Sequence, residues 1–249
     1  MFGDFTYEWN HIEYIEKEED FDKVSSDNSY IISQNIILTK KHNFKNISNV
    51  CISGNVNVTL NKNTTLKFID CNYIRICDIT FTGDLQPNKY GEITLQFSHC
   101  DHCIIDHCVF VDGEDEQLCI KDGSDMFTIS NCQFLHNNYQ RHAYSILIGK
   151  HHKDIPESGH YHADIYNCLF RGGRGRNPRC RHSIVHLTKC VWENIKEYVI
   201  GPENSEIYIN DCESINNKGH FIEPYGKYEL KIENSPTIKI IESNKRFFR

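Results

Sequence analysis

Five arginines crowd one short stretch of this sequence, Arg171, Arg174, Arg176, Arg179 and Arg181, between the strand-like runs HADIYNCLF and SIVHL. Gly172, Gly173, Gly175 and Pro178 lie among them, so the stretch cannot be a helix interior. The arginines therefore sit on a loop carried by sheet, where binding and catalytic groups tend to lie. A dense guanidinium loop suits an anionic partner, a carboxylate or a phosphate. A solvated basic loop without a ligand is the plain alternative.

The rest of the chain does not share this charge. It has 249 residues and a formal net charge of −7, which argues against general nucleic-acid binding. No apolar run approaches the ~20 residues of a membrane span. The N-terminus MFGDFTYEWNHIEYIEKEED is acidic and lacks the features of a secretory signal, so an intracellular or virus-associated setting is expected over classical secretion. The twelve cysteines are accordingly expected to be reduced thiols.

The elements that must position the loop announce themselves as a repeat. IRICDITF, CIIDHCVF, FTISNCQF, ADIYNCLF, VHLTKCVW and IYINDCES align on a small-residue column at Ile79, Cys108, Cys132, Cys168, Cys190 and Cys212. The steps are 29, 24, 36, 22 and 22 residues, and ELKIENSP adds Ser235 after 23 more. Strand-only units of this length predict an all-β fold, a parallel β-helix in which each repeat is one coil. The polar residues before the column (Asp106–His107, Asn131, Asn167, Lys189, Asp211) belong at the tight bends, where Asn and Asp tolerate unusual backbone angles. The cysteines then form one interior stack, and Phe81, Phe110, Phe134, Phe170 and Trp192 a second. We expect one domain over 1–249, with a cap at 1–26 (a short amphipathic helix or irregular segment), coils at 27–240 and a tail at 241–249. The long step to Cys168 implies a bulging loop containing His151, His152 and His160, with His162 at its end. These histidines are either proton donors or bystanders. A monomer is expected, with 1–26 and the final FFR covering the solenoid ends.

Other candidates are weaker. HCDHC at 99–103 contains a CxxC, a modest zinc signal with no second CxxC at a conventional distance. No Gly-rich phosphate loop is present.

The succession CIIDHCVF, LCIKDGSDMFTISNCQF, ILIG, SGH and RNPRCRHSIVH resembles the calcium-dependent pectate lyases, right-handed parallel β-helices that cleave polygalacturonate by β-elimination. The resemblance runs from about Gly91 to Asn194. It implies Arg176 as the base that removes the uronate C5 proton and Arg181 as the residue that holds the carboxylate. It also implies Asp106 and Asp115 as calcium ligands, and beside these carried-over residues Arg179, Tyr144, Arg174 and His142 are candidate substrate contacts. Two positions depart from the family pattern: Cys119 stands where a further acidic ligand is expected, and Tyr144 where a substrate-binding lysine is expected. Thiolate is a poor ligand for calcium. A weakened calcium site, a softer metal using Cys119, or no metal all follow from that change. The implied partner is an anionic polysaccharide. The different-class alternative is a non-catalytic β-helix that binds glycan or builds a virion or cell surface. A polygalacturonase-like hydrolase would need aspartate clusters of NTD and DD type, which are missing.

Overall fold

The structure is a computed structural model that describes residues 11–83, 91–113, 115–138, 142–149 and 161–240. Strands stack in parallel, coil onto coil, into a right-handed parallel β-helix. Among the described residues they form a sixteen-stranded sheet and an eight-stranded sheet around one continuous core.

The bends form where the sequence pattern puts them. His107, Asn131, Asn167, Lys189 and Asp211 all have φ between 50° and 55°, left-handed backbone that turns the chain within one residue. Side chains at this corner bond from coil to coil: Asn131 Nδ2 donates to Asp106 Oδ1 at 2.9 Å, and Asn167 Nδ2 donates to Asn131 Oδ1 at 2.8 Å.

The cysteine column lies directly inside the bend, with every member buried. Cys132 Sγ reaches Ile105 O at 3.6 Å, Cys190 Sγ reaches Ile165 O at 3.4 Å, and Cys212 Sγ reaches Leu187 O at 3.4 Å. A small side chain that also donates weakly meets carbonyls near the strand ends of the neighbouring coil. Ser235 does related work at the end of the column, accepting the Cys212 backbone N–H at 2.9 Å.

The second stack is equally regular. Ring centroids are 5.2 Å apart for Phe81–Phe110, 4.9 Å for Phe110–Phe134, 5.1 Å for Phe134–Phe170 and 6.1 Å for Phe170–Trp192. A third stack, Phe44–Phe68–Phe97 at 4.6 and 5.1 Å, escaped the sequence reading because its members lie on the eight-stranded sheet, whereas the aligned repeats all lie on the sixteen-stranded one.

The N-terminal expectation needs correction. The solenoid begins before residue 27: strand His11–Ile15 pairs in parallel with Asn28–Ile32, joined through a 3-10 helix at Glu18–Lys23. Ile15, at the end of the strand, and Phe21, in the 3-10 helix, are buried, while Ile12 and Tyr14 are exposed. Residues 1–10 and the tail 241–249 lie outside the described residues.

Candidate active site

Three successive coils carry the arginine cluster. The strand Tyr144–Ile148 belongs to the eight-stranded sheet, Arg179–Arg181 pairs beneath it, and Tyr198–Glu203 pairs beneath that. The loop 172–178 feeds the second of these strands. Gly172 has φ +80, and a Cβ there would lie 2.2 Å from His136 O, so only glycine fits. Asn177 anchors the loop. Its Oδ1 accepts from Ser145 Oγ at 2.6 Å and its backbone carbonyl from Trp192 Nε1 at 2.7 Å. A cis peptide joins it to Pro178.

Each of the five arginines meets a carboxylate. Arg171 pairs with Glu193 at 2.7 Å and Arg174 with Glu197 at 2.6 Å. Arg179 and Arg181 share Glu203 Oε2, at 3.1 and 2.9 Å. Arg176 donates to the buried Glu116, and its guanidinium lies 3.9 Å from the centroid of the Tyr144 ring. Arg176 also has φ 58, a left-handed residue inside the site rather than at a coil corner. Arg179 stacks 3.6 Å over the Tyr225 ring. Burial, then the nearby Arg179, draws Arg181 below the usual guanidinium range, with Glu203 opposing. The cationic loop thus arrives with its own counter-ions, which the sequence reading missed.

A cleft of about 620 Å³ opens beside the loop, and its lining includes Tyr144, Arg174, Arg176, Tyr198, Lys218 and Tyr225. Burial raises the Tyr144 phenol above its ordinary value, with Arg174 pulling the other way, so the phenol is held protonated.

The expected metal ligands do not come together. Asp106 ends a strand of the sixteen-stranded sheet, whereas Asp115 immediately precedes Glu116–Lys121 of the eight-stranded sheet. Asp106 is instead a corner residue, accepting from Ser130 Oγ at 2.6 Å and Asn131 at 2.9 Å, with His107 Nδ1 2.9 Å from its other oxygen. Asp115 Oδ1 is buried without a hydrogen-bond partner, and His142 Nδ1 stands 3.7 Å away. Burial raises the Asp115 carboxyl, with Arg176 and His142 opposing. Cys119 is a buried thiol pushed up to about 12 by burial. One orphan carboxylate oxygen, a protonated thiol and a Glu116 already held by arginine do not make the six or more oxygen ligands that calcium takes. Among the described residues no three His, Cys, Asp or Glu side chains could hold a metal ion. The thiols of HCDHC are buried too, and Cys100 and Cys103 donate to backbone carbonyls at 3.4 and 3.5 Å.

His162 is also away from the arginines, bonded through Nδ1 to Asp125 at 2.9 Å on the sixteen-stranded sheet. His151, His152 and His160 lie outside the described residues. The site residues that the sequence reading missed (Glu116, Glu203, Tyr198 and Tyr225) carried a usable signal in part. Glu203 and Tyr198 lie one 22-residue coil after Arg181 and Arg176.

Comparison with known proteins points in one direction. No family model matches the chain. The pectate trisaccharide-lyase of Thermotoga maritima is 27% identical over 186 residues, covering 71% of this chain and 49% of that protein. Probable pectate lyase 13 of Arabidopsis thaliana is 32% identical over 101 residues, 41% of this chain and 18% of that one. The chain spans about half the length of the Thermotoga proteins it matches. Among solved structures, a pectate lyase from Paenibacillus sp. 0602 superposes with a TM-score of 0.69 at 10% identity, covering 82% of this chain and 70% of that chain. A pectate lyase bound to a hexasaccharide gives 0.68 at 13% identity, covering 92% and 82%.

Proposed function

We propose that the chain is a polysaccharide lyase of the pectate lyase kind, cleaving a uronate-containing glycan by β-elimination. The observation that carries this reading is the cleft itself. Its wall includes Arg176, the residue that the family pattern assigns to the C5 proton, with Arg174 and Tyr144, two further candidate substrate contacts, beside it.

In the proposed reaction the C5 proton passes to Arg176, the C5–H electrons form the C4–C5 double bond, and the C4–O bond breaks. A guanidinium is a poor base at its ordinary pKa above ~12. Arg176 must therefore release a proton first, and the buried Glu116 bonded to it fixes the guanidinium in the cleft wall. Arg181 and Arg179, held by Glu203, supply fixed positive charge for the substrate carboxylate as charge builds at C5. The Tyr144 phenol, kept protonated and lining the cleft, is placed to protonate the departing oxygen. The described donor set does not fit calcium, so charge stabilisation in this reaction falls to the guanidiniums.

The test follows the ultraviolet absorbance of unsaturated uronides on a panel of uronate polymers. Wild-type protein should generate it, and Arg176→Ala should lower the rate by about 100-fold or more. A folded wild-type protein silent across the panel would sink the lyase reading. One observation favours a second reading, that of a uronate-binding module: the Glu116–Arg176 pair neutralises the expected base. Binding without absorbance would establish that alternative.

A further inference from the structure

Arg174, Lys196 and Lys218 are spaced 22 residues apart, the length of one coil in this part of the chain. Backbone bonds place them at equivalent points: Lys196 N donates to Gly173 O at 3.1 Å and Lys218 N to Ile195 O at 2.9 Å. Neighbouring strands lie ~4.8 Å apart, so the three side chains leave the solenoid as a column parallel to its axis. All three line the cleft. Glu197 holds Arg174 at 2.6 Å, whereas Lys196 and Lys218 are exposed and make no ion pair among the described residues.

A second column runs beside it. Arg176, Tyr198 and His220 are again 22 residues apart, and Tyr198 and His220 are direct partners across neighbouring strands. Tyr198 meets Tyr225 edge-on at 6.2 Å, so aromatic surface flanks the cationic row. Cations recurring at a fixed rise on a protein of net charge −7 suit an extended polymer with one negative charge per unit. Aromatic surface beside them suits a polymer whose units are sugar rings.

We infer that the Arg174–Lys196–Lys218 column is a metal-independent track for successive carboxylates of a de-esterified polyuronate. This rests on the reading of the cleft as a uronate site, but not on catalysis. Fixed ammonium and guanidinium groups take the place of a bridging cation, and the polymer lies along the solenoid axis, one carboxylate to a coil.

The experiment is equilibrium binding of oligogalacturonates of two to six units to the full chain, in chelator and then with added calcium. Affinity should rise with length up to about four units and be indifferent to calcium. Fully methyl-esterified oligomers and inorganic polyphosphate should bind far more weakly. Lys196→Gln and Lys218→Gln should each weaken binding about threefold, and together about tenfold, whereas Lys→Arg at either position should retain it. Both lysines are exposed, so these variants should keep the wild-type circular dichroism. Binding that collapses in chelator and returns with calcium would overturn the inference. So would a double Gln variant that binds like wild type, or polyphosphate that binds equally well. Tight, chelator-resistant binding without unsaturated product would uphold the track while removing the lyase reading.

Discussion

At the scale of single residues, the site is a set of charges that neutralise one another before any substrate arrives. Glu203 holds two arginines and Glu116 a third, which positions the guanidiniums at the cost of their freedom. The left-handed backbone of Arg176 costs roughly 1 kcal/mol, and its ion pair and ring contact help to hold it there. A histidine beneath the loop gives a test of how dry this region is. Burial drives the His136 pKa from 6.5 down to about 4, and its Nε2 lies 3.3 Å from Ser145 Oγ, which in turn bonds Asn177. The folded value lies below the unfolded one, so the stability that His136 allows is fully present above pH 6.5 and is lost as pH falls toward 4. The loss should reach roughly 3 kcal/mol below that window. Denaturant melts across this range should show it, and His136→Gln should flatten the slope. An unchanged slope in the variant would show that other groups govern the acid limb.

At the scale of elements, each coil is one strand–turn–strand unit that cannot bury its apolar side alone, and stacking supplies the partner. Phe134 sits between Phe110 and Phe170 in the middle of its stack, fully buried. Phe134→Ala should therefore cost about 3–5 kcal/mol, measured by chemical denaturation. Phe134→Leu should cost distinctly less, because it keeps most of the volume. Equal costs would mean that the coils relax around the gap and that ring stacking adds little. The left-handed corners bear on the same point: Asn, Asp and His at these positions bend each coil and bond the next. Asp106 shows how a motif residue can be spent on this job rather than on a metal.

For the molecule as a whole, the core is one continuous column that holds nine of the twelve cysteines, and all twelve are buried free thiols. Burial raises Cys103, Cys119 and Cys180, which suppresses their thiolate forms, and the remaining thiols are shielded from reagent by burial itself. The native protein should thus leave a thiol reagent such as Ellman's almost unconsumed, and all twelve should react in denaturant. Rapid reaction of several thiols without denaturant would show that the solenoid opens locally.

The sequence alone determined the repeat, the corner residues, the two stacks and the arginine run, because a parallel β-helix writes its coil length directly into the spacing of its residues. Cys108, Cys132, Cys168, Cys190 and Cys212 can be aligned by eye for that reason. Which side chains face each other across coils was decided only by the tertiary structure. Asp106 and Asp115 are nine residues apart, yet one ends a strand of the sixteen-stranded sheet and the other leads into a strand of the eight-stranded sheet, while Glu116 and Arg176 are sixty residues apart, yet share a hydrogen bond. The reason is geometric. A coil has several faces, and an offset of one turn or one bulge moves a carboxylate from cleft to corner without leaving a mark on the local pattern. The 22-residue steps that join Arg174 to Lys218 were visible throughout, but only the stacked backbone shows that they open onto one cleft.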